Sequence, residues 1–173
     1  RIKKYPAVSS EEHNRRCLWQ FTAESVRTNF ARNRTIEMLA RQSDASTLIL
    51  VGSIEHGELL AEKIPGSIVV FSRMGKKKRA EAIEGFRNGS IRVMIATSLA
   101  DEGLDVPRAA VLILAAGGRS EGKLEQRAGR VMRPHHTKTF GVVHDFADRG
   151  ATMAHSQFRS RIKTYKLLGY EIK

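Results

Sequence analysis

The sequence predicts an α/β fold, a parallel sheet flanked by helices on both faces, and three observations carry that prediction. From Thr47 onward, short apolar runs at Thr47–Val51, 67–71 and 91–96 alternate with amphipathic stretches at 55–63 and 77–87, and two more runs follow at 110–115 and 140–145. Those runs are apolar throughout instead of alternating with polar residues, as strands are when helices bury both faces of a parallel sheet. Helix stops fall where such a fold needs them: Asn88-Gly89 closes one amphipathic stretch, and Pro134 closes the next.

At the amino end, residues 1–6 are basic and read as extended. Ser9 and Glu12 stand at capping-box spacing, so a helical region is expected to start there and run to about Gln42, within a basic lead-in over residues 1–44. Leu18, Phe21, Val26, Ile36, Leu39 and Ala40 are its expected apolar contacts. Arg15, Arg16, Arg27, Arg32, Arg34 and Arg41 make it strongly basic, either as a solvated face or toward nucleic acid or another domain. Trp19 and Tyr5 could stack on a base, although a single aromatic in a helical region is more often core. A last amphipathic helix is expected over 153–168, carrying Phe158, Ile162, Tyr165 and Leu168.

The 173 residues fit one domain spanning 1–173, long enough to bury about two-thirds of its unfolded surface. Lys and Arg number 30 against 18 Asp and Glu, a formal charge of +12 and a pI near 10.3, which favours a polyanionic partner. A membrane is not expected, because no apolar run reaches the ~18 residues of a spanning helix and no signal-peptide pattern opens the chain. The lone Cys17 excludes an internal disulfide and points to a reducing compartment, cytoplasmic or nucleoid-associated. Arg1 stands where a natural start has Met, so the chain reads as a fragment of a longer protein.

The densest chemistry lies between Ile91 and Pro134. At about 100° per residue, Gln126, Arg130 and Arg133 share one helix stripe, opposite Leu124, Ala128 and Val131. Two guanidiniums on a rigid element suit charge developing on a phosphoryl group, since the fork binds oxygens bidentately and stays ionised. Gly129, a poor helix former in mid-helix, is expected to admit another backbone. In open parallel sheets ligands gather at the carboxyl edge of the strands, and the loops at 52–53, 73–78 and 97–105 should all lie there. No metal site is expected, because the six histidines lack partner spacing. Asp101-Glu102 sit too far beyond their strand to serve as an acidic pair.

One rival pattern runs from Gly117 to Lys123, matching G-x-x-x-x-G-K, with Asp145 as a possible acidic counterpart. The next residue is Leu124, where a phosphate loop needs Ser or Thr to hold magnesium.

The segment TSLADEGLDVP, from Thr97, resembles motif V of superfamily-two helicases, and QRAGRVMR, from Gln126, resembles motif VI. Their order and separation are similar to those in the second of that family's two RecA-like domains. LILVGSIEHGELL, from Leu48, is similar to motif IV, and RAEAIEGFRNG and VHDFADRG extend the likeness. The resemblance implies a RecA-like parallel sheet and an ATP site, with Mg2+, shared with a preceding RecA-like domain. That missing domain would supply the Walker A lysine, the acidic motif II and most of the Mg2+ coordination. It implies that Arg130 and Arg133 are arginine fingers, and that Gln126 and Arg127 position the nucleotide or bridge the domains. Gly103 would allow close backbone approach to the nucleotide, while Asp105 would accept from a ribose hydroxyl or fix the arginines. Gly52, Ser53, Arg73, Lys76, Lys77, Arg79 and Thr97 would contact the nucleic-acid backbone; Met74-Gly75 departs from the His-Gly common in relatives.

The wording around 126–134 and His144-Asp145-Phe146 is closer to the DNA-translocating repair and recombination branch than to RNA-unwinding DEAD-box proteins. The expected function is therefore the second motor domain of an ATP-dependent DNA helicase, with RNA as the alternative strand, and the isolated chain should not hydrolyse ATP. The competing readings are a nucleic-acid-binding module without motor activity and the phosphotransferase implied by the Gly117 pattern.

Overall fold

The structure is a computed structural model describing residues 10–97, 105–116 and 121–173, apart from the side chains of 10, 13, 15, 121–124 and 130. Two helices, α1 (Ser10–Thr28) and α2 (Phe30–Gln42), precede β1 (Thr47–Val51), α3 (Ile54–Lys63), β2 (Ile68–Val70), α4 (Lys76–Asn88), β3 (Val93–Thr97) and β4 (Val111–Leu114). After them come α5 (Glu121–Met132), β5 (Val142–His144) and α6 (Thr152–Leu167). The expected lead-in helix is thus two helices, parted at Asn29, whose side chain caps α2 by accepting from the Arg32 amide.

The five strands are all parallel in the order β2-β3-β1-β4-β5. Every residue of β1, β3 and β4 is buried, which is why these segments read as continuous apolar runs. Successive residues point to opposite faces and build two cores. Leu48, Leu50, Met94, Ala96, Leu112 and Leu114 pack with Phe86 of α4, Val131 of α5 and Tyr165 of α6. Ile49, Val51, Ile95 and Ile113 pack with Ile36 and Ala40 of α2 and Leu60 and Ile64 of α3. On α5, Ala128 and Val131 are fully buried as the expected stripe requires. Gly89 ends α4 at a φ of 89°, a left-handed cap that glycine adopts without strain.

Some local expectations fail. Leu18, Trp19 and Phe21 are 50%, 60% and 72% exposed, because α1 lies outside the two cores and packs mainly on α6 and α2. Among the described residues no heavy atom lies within 4 Å of a Cβ built on Gly129, so none of the described backbone makes the expected approach. Close approach occurs instead at Gly57, where a Cβ would sit 2.9 Å from Val69 Cγ1 and hold α3 off the sheet.

Candidate functional site

Register decides which loops meet. Val51 pairs with Thr97 and Val70 with Ala96, so the segments leaving β1, β2 and β3 emerge side by side at the carboxyl edge. That brings together most of the residues expected to meet a nucleic-acid backbone. Gly52 lies against Ala116, its would-be Cβ 3.4 Å from that methyl group. Ser53 caps α3, its hydroxyl accepting from the His56 amide at 3.3 Å. A hydrogen bond from Ser53 also holds the Glu55 carboxyl below its ordinary pKa. Thr97 is 6% exposed at the end of β3.

Arg73 is exposed in the loop after β2, and Lys76 and Lys77 are exposed in the first turn of α4, with Arg79 half-buried behind them. That helix begins at Gly75 with no side-chain cap and no acidic residue in its first turn. Uncapped amides, the positive helix end and the lysine charges therefore face one way, an arrangement suited to phosphate.

Asp105 does not join that edge, contrary to the expectation that all candidate loops lie there. Its carboxylate accepts from Arg133 Nη1 at 3.2 Å, and its backbone carbonyl accepts from Arg87 Nε at 2.9 Å. Arg87 lies in the last turn of α4 and Arg133 just past α5, and both helices run from the carboxyl end of one strand to the amino end of the next. From Asp105 the chain reaches Ala110, whose amide donates to the Ser46 carbonyl just before β1. The Asp105–Arg133 pair therefore occupies the amino side of the sheet, away from the carboxyl ends of β1, β2 and β3. Both partners remain about 60% exposed. Gln126 is exposed on the same helix. Gly103 and the Arg130 side chain lie outside the described residues, as do residues 117–120 and the side chains of 121–124.

Arg127 points elsewhere. With Gly52, Ser53, Leu114, Ala115 and Ala116 it lines a cavity of about 760 Å3 at the carboxyl ends of β1 and β4, rimmed by Trp19, Gln20 and Thr22 of α1 and by Gln157 of α6. The connection from β1 leaves toward β2 and that from β4 toward β5, so this is the crevice where the chain direction reverses across the sheet.

Three buried polar contacts were not legible in the sequence. Arg32, expected on a basic helix face, is 6% exposed; its Nε donates to Asp148 at 2.8 Å and its Nη1 to the Ala115 carbonyl at 2.8 Å. Burial depresses its pKa, the Asp148 charge opposing the shift. Arg161 donates from Nε and Nη2 to both oxygens of Asp145 at 2.7 and 2.8 Å, and the Tyr165 hydroxyl donates to the same carboxylate at 3.0 Å. Asp145 is thereby committed to holding α6 against β5, which removes it as the acidic partner of the Gly117 pattern. His56 donates from Nε2 to Asn33 Oδ1 at 3.0 Å, and burial, with Arg32 and Arg27 nearby, pushes its pKa down to about 4. No local periodicity signals these pairs, since Arg32 and Asp148 lie 116 residues apart.

Among the described residues no group of three His, Cys, Asp or Glu could hold a metal ion, and no helix is long and apolar enough to cross a membrane. Residues 31–135 match the family model for the helicase conserved C-terminal domain. The chain is 38% identical over 102 residues to a putative helicase, number 22, of a Sulfolobus islandicus filamentous virus, covering 57% of this chain and 18% of that protein. It is 30% identical over 171 residues to the putative DNA 3'-5' helicase Rad25 of Halobacterium salinarum, covering 98% of this chain and 26% of that one. The chain thus spans about a quarter or less of the length of these relatives. Its fold is similar to that of the C-terminal domain of the DEAD-box protein Dbp5, with a TM-score of 0.63 at 18% identity over 79% of this chain and 78% of that one.

Proposed function

Since the chain belongs to the helicase conserved C-terminal domain family, we propose that it serves as the second RecA-like motor domain of an ATP-dependent DNA helicase or translocase. The observation that carries this reading is the separation of two cationic surfaces. One, with Arg73, Lys76 and Lys77, lies at the carboxyl edge of the sheet, and the other, with Arg133 and Arg87 around Asp105, lies on the amino side. A passive binding module needs only the first. A motor needs both, one to hold the strand and one to complete a nucleotide site formed with another domain.

Arg133 fits a triphosphate: its side chain is 62% exposed, and its bond to Asp105 uses one terminal nitrogen, leaving the other donors of the fork for phosphate oxygens. ATP supplies the phosphoryl group whose transfer to water releases the driving free energy. Arg133, with Arg130, stabilises negative charge on that group, and Asp105 keeps the Arg133 guanidinium on the exposed side of α5. Gln126 positions the nucleotide or bridges the domains, Arg127, at the carboxyl-edge cavity, bridges the domains, and Gly103 lets the backbone approach. No Mg2+ ligand is assigned to this chain; a preceding RecA-like domain would hold the ion. At the other edge, Gly52, Ser53, Thr97, Lys76, Lys77, Arg73 and Arg79 hold phosphates without reading bases. DNA is favoured over RNA by the Halobacterium salinarum relative, a putative DNA helicase that aligns along 98% of this chain.

The two surfaces are separable in the two-domain protein. Arg133→Ala should lower ATP turnover on the order of 10³-fold while nucleotide-free DNA binding stays close to wild type. Lys77→Ala should weaken DNA binding and leave turnover at saturating DNA nearly normal. Steady-state ATPase assays and DNA titrations check both, and the opposite pattern would overturn the assignment.

A further inference from the structure

Resting on the strand-binding reading of the carboxyl edge, we propose that the cavity between the ends of β1 and β4 receives one unpaired nucleobase, stacked on Trp19 at its rim. Gly52 and Ser53, placed on the backbone path, line this same cavity, so a strand lying on that edge passes its mouth. At about 760 Å3 it falls within the roughly 300–1,000 Å3 of small-molecule sites, large enough for a base and its sugar.

Charge decides which part of a nucleotide enters. The lining carries the guanidiniums of Arg27, Arg127 and Arg161 against the carboxylates of Glu24, Glu55 and Asp148, while buried His56 stays neutral near physiological pH. Two of the arginines are already committed, Arg27 to Glu24 at 2.6 Å and Arg161 to Asp145 at 2.7 Å. Positive charge is therefore balanced inside the cavity and concentrated outside it, at Arg73, Lys76 and Lys77. Phosphate belongs on that outer surface, and a flat uncharged ring belongs within. The floor suits such a ring, with Leu50, Val51, Leu114 and Ala115 as apolar walls and Gln20 and Gln157 as amides able to donate or accept at its edge. Trp19, 60% exposed, contributes a broad indole face that packs into neither core of the chain. Stacking on an aromatic face stabilises a base by ~1–3 kcal/mol and tolerates any base identity.

Trp19 is the chain's one tryptophan, so its fluorescence reports this contact directly. The 173-residue chain is titrated with a single-stranded thymidine oligonucleotide and with an abasic strand of the same length, following binding by anisotropy and Trp19 emission in parallel. The thymidine strand should bind about tenfold tighter and quench Trp19, and the abasic strand should bind without quenching. Trp19→Ala should bring the two affinities together by weakening only the thymidine strand. Gln157→Phe, which fills the cavity from α6, should also remove the thymidine preference and spare abasic binding, with far-ultraviolet circular dichroism confirming the fold. Binding of both strands with Trp19 emission unchanged, or with equal quenching, overturns the nucleobase site and leaves the backbone reading standing. Failure of both strands to bind overturns both readings.

Discussion

On α3, facing Asn33 of α2 at 2% exposure, His56 titrates far from its ordinary range because burial penalises the imidazolium and two arginines repel it. The sign follows from its folded pKa of about 4 lying below the unfolded value of 6.5. Below pH 6.5 the unfolded chain takes up a proton that the folded chain refuses, so stability is lost as pH falls from about 6.5 toward 4. The loss approaches about 3 kcal/mol at the acid end. His56→Gln keeps a donor for Asn33 Oδ1 and removes the titration, so its urea midpoint should vary less across that window than that of wild type. An equal acid sensitivity in the variant would assign the effect to other groups.

At the scale of elements, α6 is fastened to the end of β5 by one buried carboxylate. Asp145 is 8% and Arg161 6% exposed, so neither charge is solvated without the other. Arg161→Met should therefore destabilise the chain by about 3–5 kcal/mol, most of it the cost of leaving Asp145 uncompensated. Adding Asp145→Leu should recover part of that loss, since the pair would then be apolar on both sides, while the Tyr165 hydroxyl and the Phe146 amide would lack their acceptor. Chemical denaturation of the two single variants and the double variant measures the coupling. Additive losses would show that the two residues act separately.

For the whole molecule, a charge of +12 on 173 residues and backbone-directed contacts make affinity a function of salt. Single-stranded DNA should release about 0.7 counterion per neutralised phosphate, so contacts from Arg73, Lys76, Lys77 and Arg79 give a log–log salt slope of about −3. Lys77→Ala should flatten that slope by about 0.7. Anisotropy titrations across a salt series provide the measurement, and a flat wild-type response would remove the phosphate contacts from this edge.

Fold class was legible in the amino-acid sequence because burial on both faces leaves no polar position in a strand: TLILV, VMIAT and VLIL could be read as parallel strands without coordinates. The buried back of α5 was legible for a similar reason, since Ala128 and Val131 lie three residues apart on one helix stripe. The sites of Lys76, Lys77 and Thr97 followed from their positions just after a strand or at its end. What only the tertiary structure decided were relations between segments distant in the chain. Arg32 reads as a solvated helix arginine until α2 is set beside Asp148, and Asp145 reads as the acidic counterpart of the Gly117 pattern until α6 brings Arg161 to it. Asp105 reads as part of the carboxyl edge until its bonds to Arg133 and Arg87 set it on the amino side of the sheet. Local periodicity records which face of an element is buried; which charged residues neutralise one another depends on how the faces are stacked, and that is set by packing over the entire sheet.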